Sequence, residues 1–253
     1  MLSALNLNDQ LALALGVLGL LFLLINLLIL KKNNPKHIPE PGKEAVAHLL
    51  HVSSEEGKRL VVGLGHNLTS GSFDLAGISG LSLQRALLNR SLFNDHPLQS
   101  YSGDGVLACM SRMVVHGAYR DALASELFSG SLSQLSGTTP LAYTASLTNQ
   151  IPDSSNAGLL LAGQMSPVVM LALDQSDRNS VPTIGAIASL SGQAASFFGN
   201  SVTLMGEDVF NASGKLDQRK SSLASLSAQD WLRIAISLGL LLGAIFKMGG
   251  VLP

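Results

Sequence analysis

From residue 59 onward, short apolar runs alternate with longer stretches whose apolar positions recur at helical spacing. The runs are RLVVGLG (59–65), PLQSYS (97–102), LSQLS (132–136), AGLLLAG (157–163), PTIGAIAS (182–189) and SVTLMG (201–206). Between them lie FDLAGISGLSLQRALLNRSLF (73–93), GVLACMSRMVVHGAYRDALA (105–124), TPLAYTASLTNQI (139–151), SPVVMLALDQSDR (166–178) and GQAASFFG (192–199). A short apolar run bounded by turn residues suits a strand covered on both faces, and a helical stretch between two such runs suits a crossover. The pattern predicts an α/β fold: a Rossmann-like, mostly parallel, doubly wound sheet. One more helix, EAVAHLLHVSSEEGK (44–58), precedes the series and stops at glycine. Strand order is not legible at this level.

The same kind of junction recurs after each apolar run: GLGHN, SYSGDG, QLSGTTP, LAGQMSP and ASLSGQ. Small residues followed by a helix-capping group suit tight βα turns, and in a parallel sheet all of these turns fall on one edge. That edge is where open α/β folds bind ligands. It nominates Gly63, Gly65, His66, Asn67, Gly103 and Asp104 as binding candidates, with a nucleotide or another anion as ligand. The dinucleotide fingerprint G-x-G-x-x-G is incomplete, because Leu68 stands where the third glycine belongs. A structural turn is therefore the leading expectation for VVGLGHNLTSGS (61–72). His66 and Asp104 could meet as an acid–base pair, although an aspartate in such a turn usually caps the next helix.

Two further apolar segments flank the alternating region. LALALGVLGLLFLLINLLIL (11–30) has the length of a membrane-crossing helix. A second candidate, SAQDWLRIAISLGLLLGAIFKMGGVLP (227–253), crosses the membrane or lies in its interface, and Gly239 and Gly243 could admit a neighbouring helix. Lys31, Lys32, Lys36, Lys43, Lys215, Arg219, Lys220 and Arg233 all lie on the inner sides of these segments. The positive-inside rule then puts residues 1–10 outside, a basic linker at 31–43, and an α/β domain at 44–226 in the cytoplasm.

Charged residues make up 13% of the chain, about half the usual fraction, and net charge is -1. That balance excludes a nucleic-acid partner, which would require a concentrated basic face. From Leu132 to Ser213 there are six charged residues in 82. A surface so poor in charge is expected to be covered, by a second copy or by another subunit. Cys109, the single cysteine, sits in an apolar run and is expected to be a buried packing thiol.

Complete catalytic signatures are missing. There is no phosphate-binding G-x-x-x-x-G-K-S/T loop and no G-x-S-x-G elbow. His48, His51 and Glu55 share a helical face, expected to be solvated rather than metal-binding. No catalytic residue, metal or cofactor is assigned. The triplets at Asn67, Asn89 and Asn211 match glycosylation acceptors, but the cytoplasmic orientation argues against their use.

The N-terminal apolar helix, GLGHNLTSGSFDLAGISGL, SGDG, LLLAGQMSPVVMLAL and SAQDWLRIAISLGLLLGAIFKMGG together resemble an uncharacterised family of bacterial membrane proteins with a domain of unknown function. The resemblance covers most of the chain. It implies an inner-membrane location but no activity, so it carries over no catalytic residue. The leading functional expectation is a membrane-anchored, non-enzymatic scaffold whose α/β domain forms a homo-oligomer. The alternatives are a ligand-binding or enzymatic module using the strand-edge turns, and an accessory subunit of a larger membrane complex.

Overall fold

A computed structural model of the protein describes residues 41–66, 75–199, 201–217 and 228–237. The chain divides into two compact units, Ile38–Leu216 and a second unit formed by Met1–His37 with Asp217–Pro253. Among the described residues no helix is long and apolar enough to cross a membrane. The expected span at 11–30 lies outside them. Of the expected segment 227–253, only 228–237 are described, and they are helical with Trp231, Leu232, Ile234 and Ile236 exposed.

The larger unit runs α1 (Pro41–Glu55), β1 (Arg59–Leu64), α2 (Leu75–Ser91), β2 (Gln99–Ser102), α3 (Gly105–Asp121), β3 (Ser133–Leu135), α4 (Pro140–Gln150), β4 (Asn156–Gly163), α5 (Met170–Arg178), β5 (Thr183–Ile187), α6 (Leu190–Phe198), β6 (Val202–Thr203) and α7 (Asp208–Asp217). All described strand pairs are parallel, in the order β3-β2-β1-β4-β5-β6. This is the Rossmann-like arrangement, in which the winding reverses between β1 and β4. Those two strands pair from Leu60↔Gly158 to Leu64↔Ala162.

Alternation along β1 feeds two cores. Leu60, Val62 and Leu64 join Leu160, Ala162, Ile184 and residues of α1, α2, α3 and α7. Val61 joins Tyr101, Leu159, Leu161 and Ile187 beneath Tyr143 and Leu147 of α4, Leu173 of α5 and Ala195 of α6. Because β1 and β4 are buried on both faces, they read as continuous apolar runs. Each fully buried leucine contributes roughly 1.5–3 kcal/mol of transfer free energy.

The first of these cores contains a polar network. Gln84 of α2 donates from Nε2 to Ser100 Oγ (3.0 Å) and Ser111 Oγ (2.9 Å). Ser133 Oγ donates to Ser111 Oγ at 2.7 Å, and the Ser100 and Ser111 hydroxyls lie 2.9 Å apart. All four residues are buried. Serines whose spacing suggests only small polar positions thus tie α2, β2, α3 and β3 together.

Several expectations are corrected. Cys109 is exposed. Helix α3 buries the stripe Leu107, Ser111, Val115, Ala118 and Tyr119, and Cys109, two residues beyond Leu107, turns away from it. Helix α7 was not expected, although Val209, Ala212 and Leu216 are buried at helical spacing. The last strand is only two residues long, and α1 opens at Pro41, ahead of the expected start at residue 44. Of the expected caps, Asp104 and Thr139 accept from the first turns of α3 and α4. Ser166 and Ser189 make no capping bond, and Ser189 Oγ donates to Met165 O instead.

Replacing Ser111 with alanine leaves Gln84 Nε2 without one acceptor and Ser133 Oγ without its partner. The expected loss is about 1–3 kcal/mol, read as a lower thermal midpoint of the purified full chain. An unchanged midpoint would show that the network contributes nothing net.

Candidate functional site

The carboxyl ends of β1, β2 and β4 converge where the winding reverses. Gly65 N–H donates to Ala162 O (3.0 Å), and His66 N–H donates to Gln164 O (2.8 Å), forming an antiparallel bridge that extends the β1–β4 pair. Gly163, with φ of 98°, makes the turn that brings Gln164 round. On the other side, Gly103 N–H donates to Leu64 O (3.3 Å) and Gly65 O (3.2 Å). The strand ends are thus laced together by backbone bonds just where an open α/β sheet usually leaves a crevice.

The glycines serve this close approach. A methyl group on Gly65 would overlap the Gln164 carbonyl, and one on Gly103 would overlap the His66 imidazole. At Gly63 a Cβ would stand 2.7 Å from the Tyr143 hydroxyl. Each of the three receives a protein atom in the space a side chain would take. No phosphate is needed to explain them.

His66 is the centre of the arrangement. Its Nδ1 lies 3.1 Å from Gly103 O, and since a carbonyl only accepts, Nδ1 carries the proton. The ring meets Tyr143 edge to face, with centroids 4.8 Å apart. Burial pushes the imidazole below its ordinary value, opposed by the Gly103 hydrogen bond and the Asp104 charge. In the neutral ring Nε2 is then an acceptor, and it is buried without a partner among the described residues. Tyr143, fully enclosed, has its phenol pushed far up by desolvation and stays neutral.

Asp104 is buried at the start of α3, where Oδ1 accepts from Val106 N (2.8 Å) and Leu107 N (3.3 Å). The capping role expected for this carboxylate is the one it fills, while its charge still acts on His66. Asn67 lies outside the described residues. The structure therefore brings together Gly63, Gly65, His66, Gly103 and Asp104, and adds Tyr143 and Gln164, which no motif marked.

Buried polar atoms without a partner among the described residues gather at this edge. Besides His66 Nε2 they include Gln164 Oε1, Ser102 Oγ at the end of β2, Ser136 Oγ just past β3 and the Tyr143 hydroxyl. The residues following the six strands, at 65–74, 103–104, 136–139, 164–166, 188–189 and 204–207, include no lysine or arginine. Among the described residues no group of three or more His, Cys, Asp and Glu side chains could hold a metal ion. On α1, exposed His51 Nδ1 lies 3.1 Å from Glu55 Oε2.

Fold and edge together define a Rossmann-like α/β protein whose switch point is closed by its own backbone. Residues 5–251 match the family described as a domain of unknown function, DUF6754, and the chain belongs to that family. No curated protein and no solved structure matches the chain.

Replacing Gly65 with alanine is expected to destabilise the fold by about 1–3 kcal/mol, because the methyl group would press on the Gln164 carbonyl. An alanine variant with an unchanged thermal midpoint would contradict the packing role. The lowered His66 value also carries a sign. The folded state disfavours the proton, so the neutral ring's contribution is complete above the ordinary value of 6.5 and is lost as pH falls from there through the depressed folded value. The thermal midpoint should fall through that window in the native chain and less steeply in His66→Gln; parallel curves would remove His66 from the account.

Proposed function

We propose that the chain is a membrane-anchored scaffold whose α/β domain self-associates through the outer face of α4, α5 and α6. The observation that carries this reading is the chemistry of that face. Helices α4 and α6 contain no Asp, Glu, Lys, Arg or His. On α6, Leu190, Phe197 and Phe198 are 82%, 65% and 78% exposed, and Leu141 of α4 and Leu171 of α5 are also exposed, on helices of the same α4–α5–α6 layer. On α5, Arg178 Nε donates to Asp174 at 2.7 Å, so most of the charge there is internally balanced.

A second copy seated on this face buries aromatic and aliphatic surface and desolvates few ions, the composition found at the centres of stable interfaces. Membrane anchoring by 11–30 and 227–253, with the domain on the cytoplasmic side of a bacterial inner membrane, would add to this by raising the effective concentration of copies. An accessory role in a larger membrane complex would use the same face for a different subunit.

The test is native mass spectrometry of the full chain extracted in mild detergent. The expected result is a homomeric mass above the monomer, reduced to the monomer by the paired substitutions Leu190→Glu and Phe198→Glu without loss of thermal midpoint. A monodisperse native monomer overturns the scaffold reading, and a defined heteromeric mass replaces it with the accessory role.

A further inference from the structure

We propose that two copies of this chain meet through α6 as an antiparallel helix pair, related by a two-fold axis at Ala194. The inference rests on the self-association proposed above and gives it a geometry. Helix α6 buries Gly192, Ala195 and Ser196 against the domain and leaves Leu190, Ser191, Ala194, Phe197 and Phe198 exposed. At 3.6 residues per turn these five fall within one arc of about 120°, with Ala194 at its centre. Along the helix they are centred on the same residue, lying three and four positions to either side of it. The stripe therefore has the same spacing read from either end. A half-turn about an axis at Ala194 sets Leu190 against Phe198 of the second copy, Ser191 against Phe197 of the second copy, and Ala194 against its own counterpart.

That match is what favours a second copy over an unrelated subunit, because a two-fold contact requires one surface to be complementary to itself. A methyl group at the crossing point lets the two helix axes approach closely. The small Ser191 leaves space for an aromatic ring, and the large side chains stand at the ends, where Leu190 covers Phe198 of the other copy. The Phe197 and Phe198 rings lie edge to face with centroids 6.2 Å apart. Charge does not oppose the pairing: α6 carries no Asp, Glu, Lys, Arg or His, so laying it against itself juxtaposes no like charges. Helix α5, packed beside α6, has Met170 and Leu171 exposed to widen the contact. A parallel arrangement would instead set Phe197 on Phe197 and Ser191 on Ser191, bulk against bulk and gap against gap. An isologous pair of this kind closes at two copies, so a larger assembly needs a different surface.

Disulfide trapping in the full chain, extracted in mild detergent and carrying Cys109→Ser to remove the exposed native thiol, tests the pairing. For helices packed at the usual interaxial distance, two Cα atoms at position 194 on the axis lie roughly 4–6 Å apart, within reach of a disulfide. The two copies of position 190 are separated by about 12 Å along the helix direction, beyond that reach. Mild oxidation should link Ala194→Cys into a covalent dimer about tenfold faster, or more, than Leu190→Cys, which serves as the control for random collision. Ala194→Arg, which brings two guanidinium groups face to face, should reduce the native mass from two copies to one. Thermal midpoints of the three variants establish that the fold survives. Equal trapping at 194 and 190 alongside a homomeric native mass overturns the antiparallel pair and leaves the scaffold reading standing. A native monomer removes both. An unchanged homomeric mass in folded Ala194→Arg overturns the pair, as does a defined heteromeric mass in place of a homomeric one.

Discussion

The carboxyl edge of this domain depends on how closely β1 and β4 approach where the winding of the sheet reverses. In open α/β sheets that reversal separates two loops and leaves a crevice. Here Gly65 lets the two strand ends continue pairing for one more step, so that His66 and Gln164 form a bridge. Everything else at the edge follows from it. The bridge sets the imidazole over Gly103, the lack of a side chain at Gly103 makes room for the ring, and Tyr143 closes against it from α4. The result is a tightly laced strand end where, among the described residues, buried acceptors stay unpaired, a combination that gives up hydrogen-bond energy locally while the packed strands beneath hold the backbone in place.

The two faces of the sheet are built on different chemistry. Against one, α2 and α3 bury a network of Gln84, Ser100, Ser111 and Ser133, which specifies how those elements meet through directional bonds. Against the other, α4, α5 and α6 bury an apolar core and turn outward a surface with few ions and several exposed phenylalanine and leucine side chains. Exposed apolar surface of that kind is costly for a domain in isolation. The strand-end residues at the edge between the two faces are mostly small or polar and include no lysine or arginine. The apolar outer face and the polar strand-end edge therefore occupy different parts of the domain.

Much of the fold was legible because burial on both faces writes a parallel strand as an uninterrupted apolar run. VVGL in β1 and GLLLA in β4 are such runs, and their crossovers carry helical spacing. Legibility fell where the signal was weak. The two-residue strand β6 has too little sequence to define its ends, and α7 hides its buried Val209, Ala212 and Leu216 among polar neighbours. Cys109 shows the opposite failure. An apolar stretch around a residue does not bury it, because only one stripe of a helix faces the sheet.

For the site, the chain itself nominated one edge and most of the residues found there, since in a parallel sheet every strand ends on the same side. Which of those residues would meet, and what they would meet, was decided by tertiary structure. Gln164, just past β4, and Tyr143 of α4 lie far along the chain from His66, and no local pattern distinguishes them from an ordinary turn residue and an ordinary core aromatic. The order β3-β2-β1-β4-β5-β6 places them beside His66. Periodicity reports which side of an element is buried, because that is a local consequence of backbone geometry. Strand order is a contest among long-range pairings, and only the folded chain records its outcome.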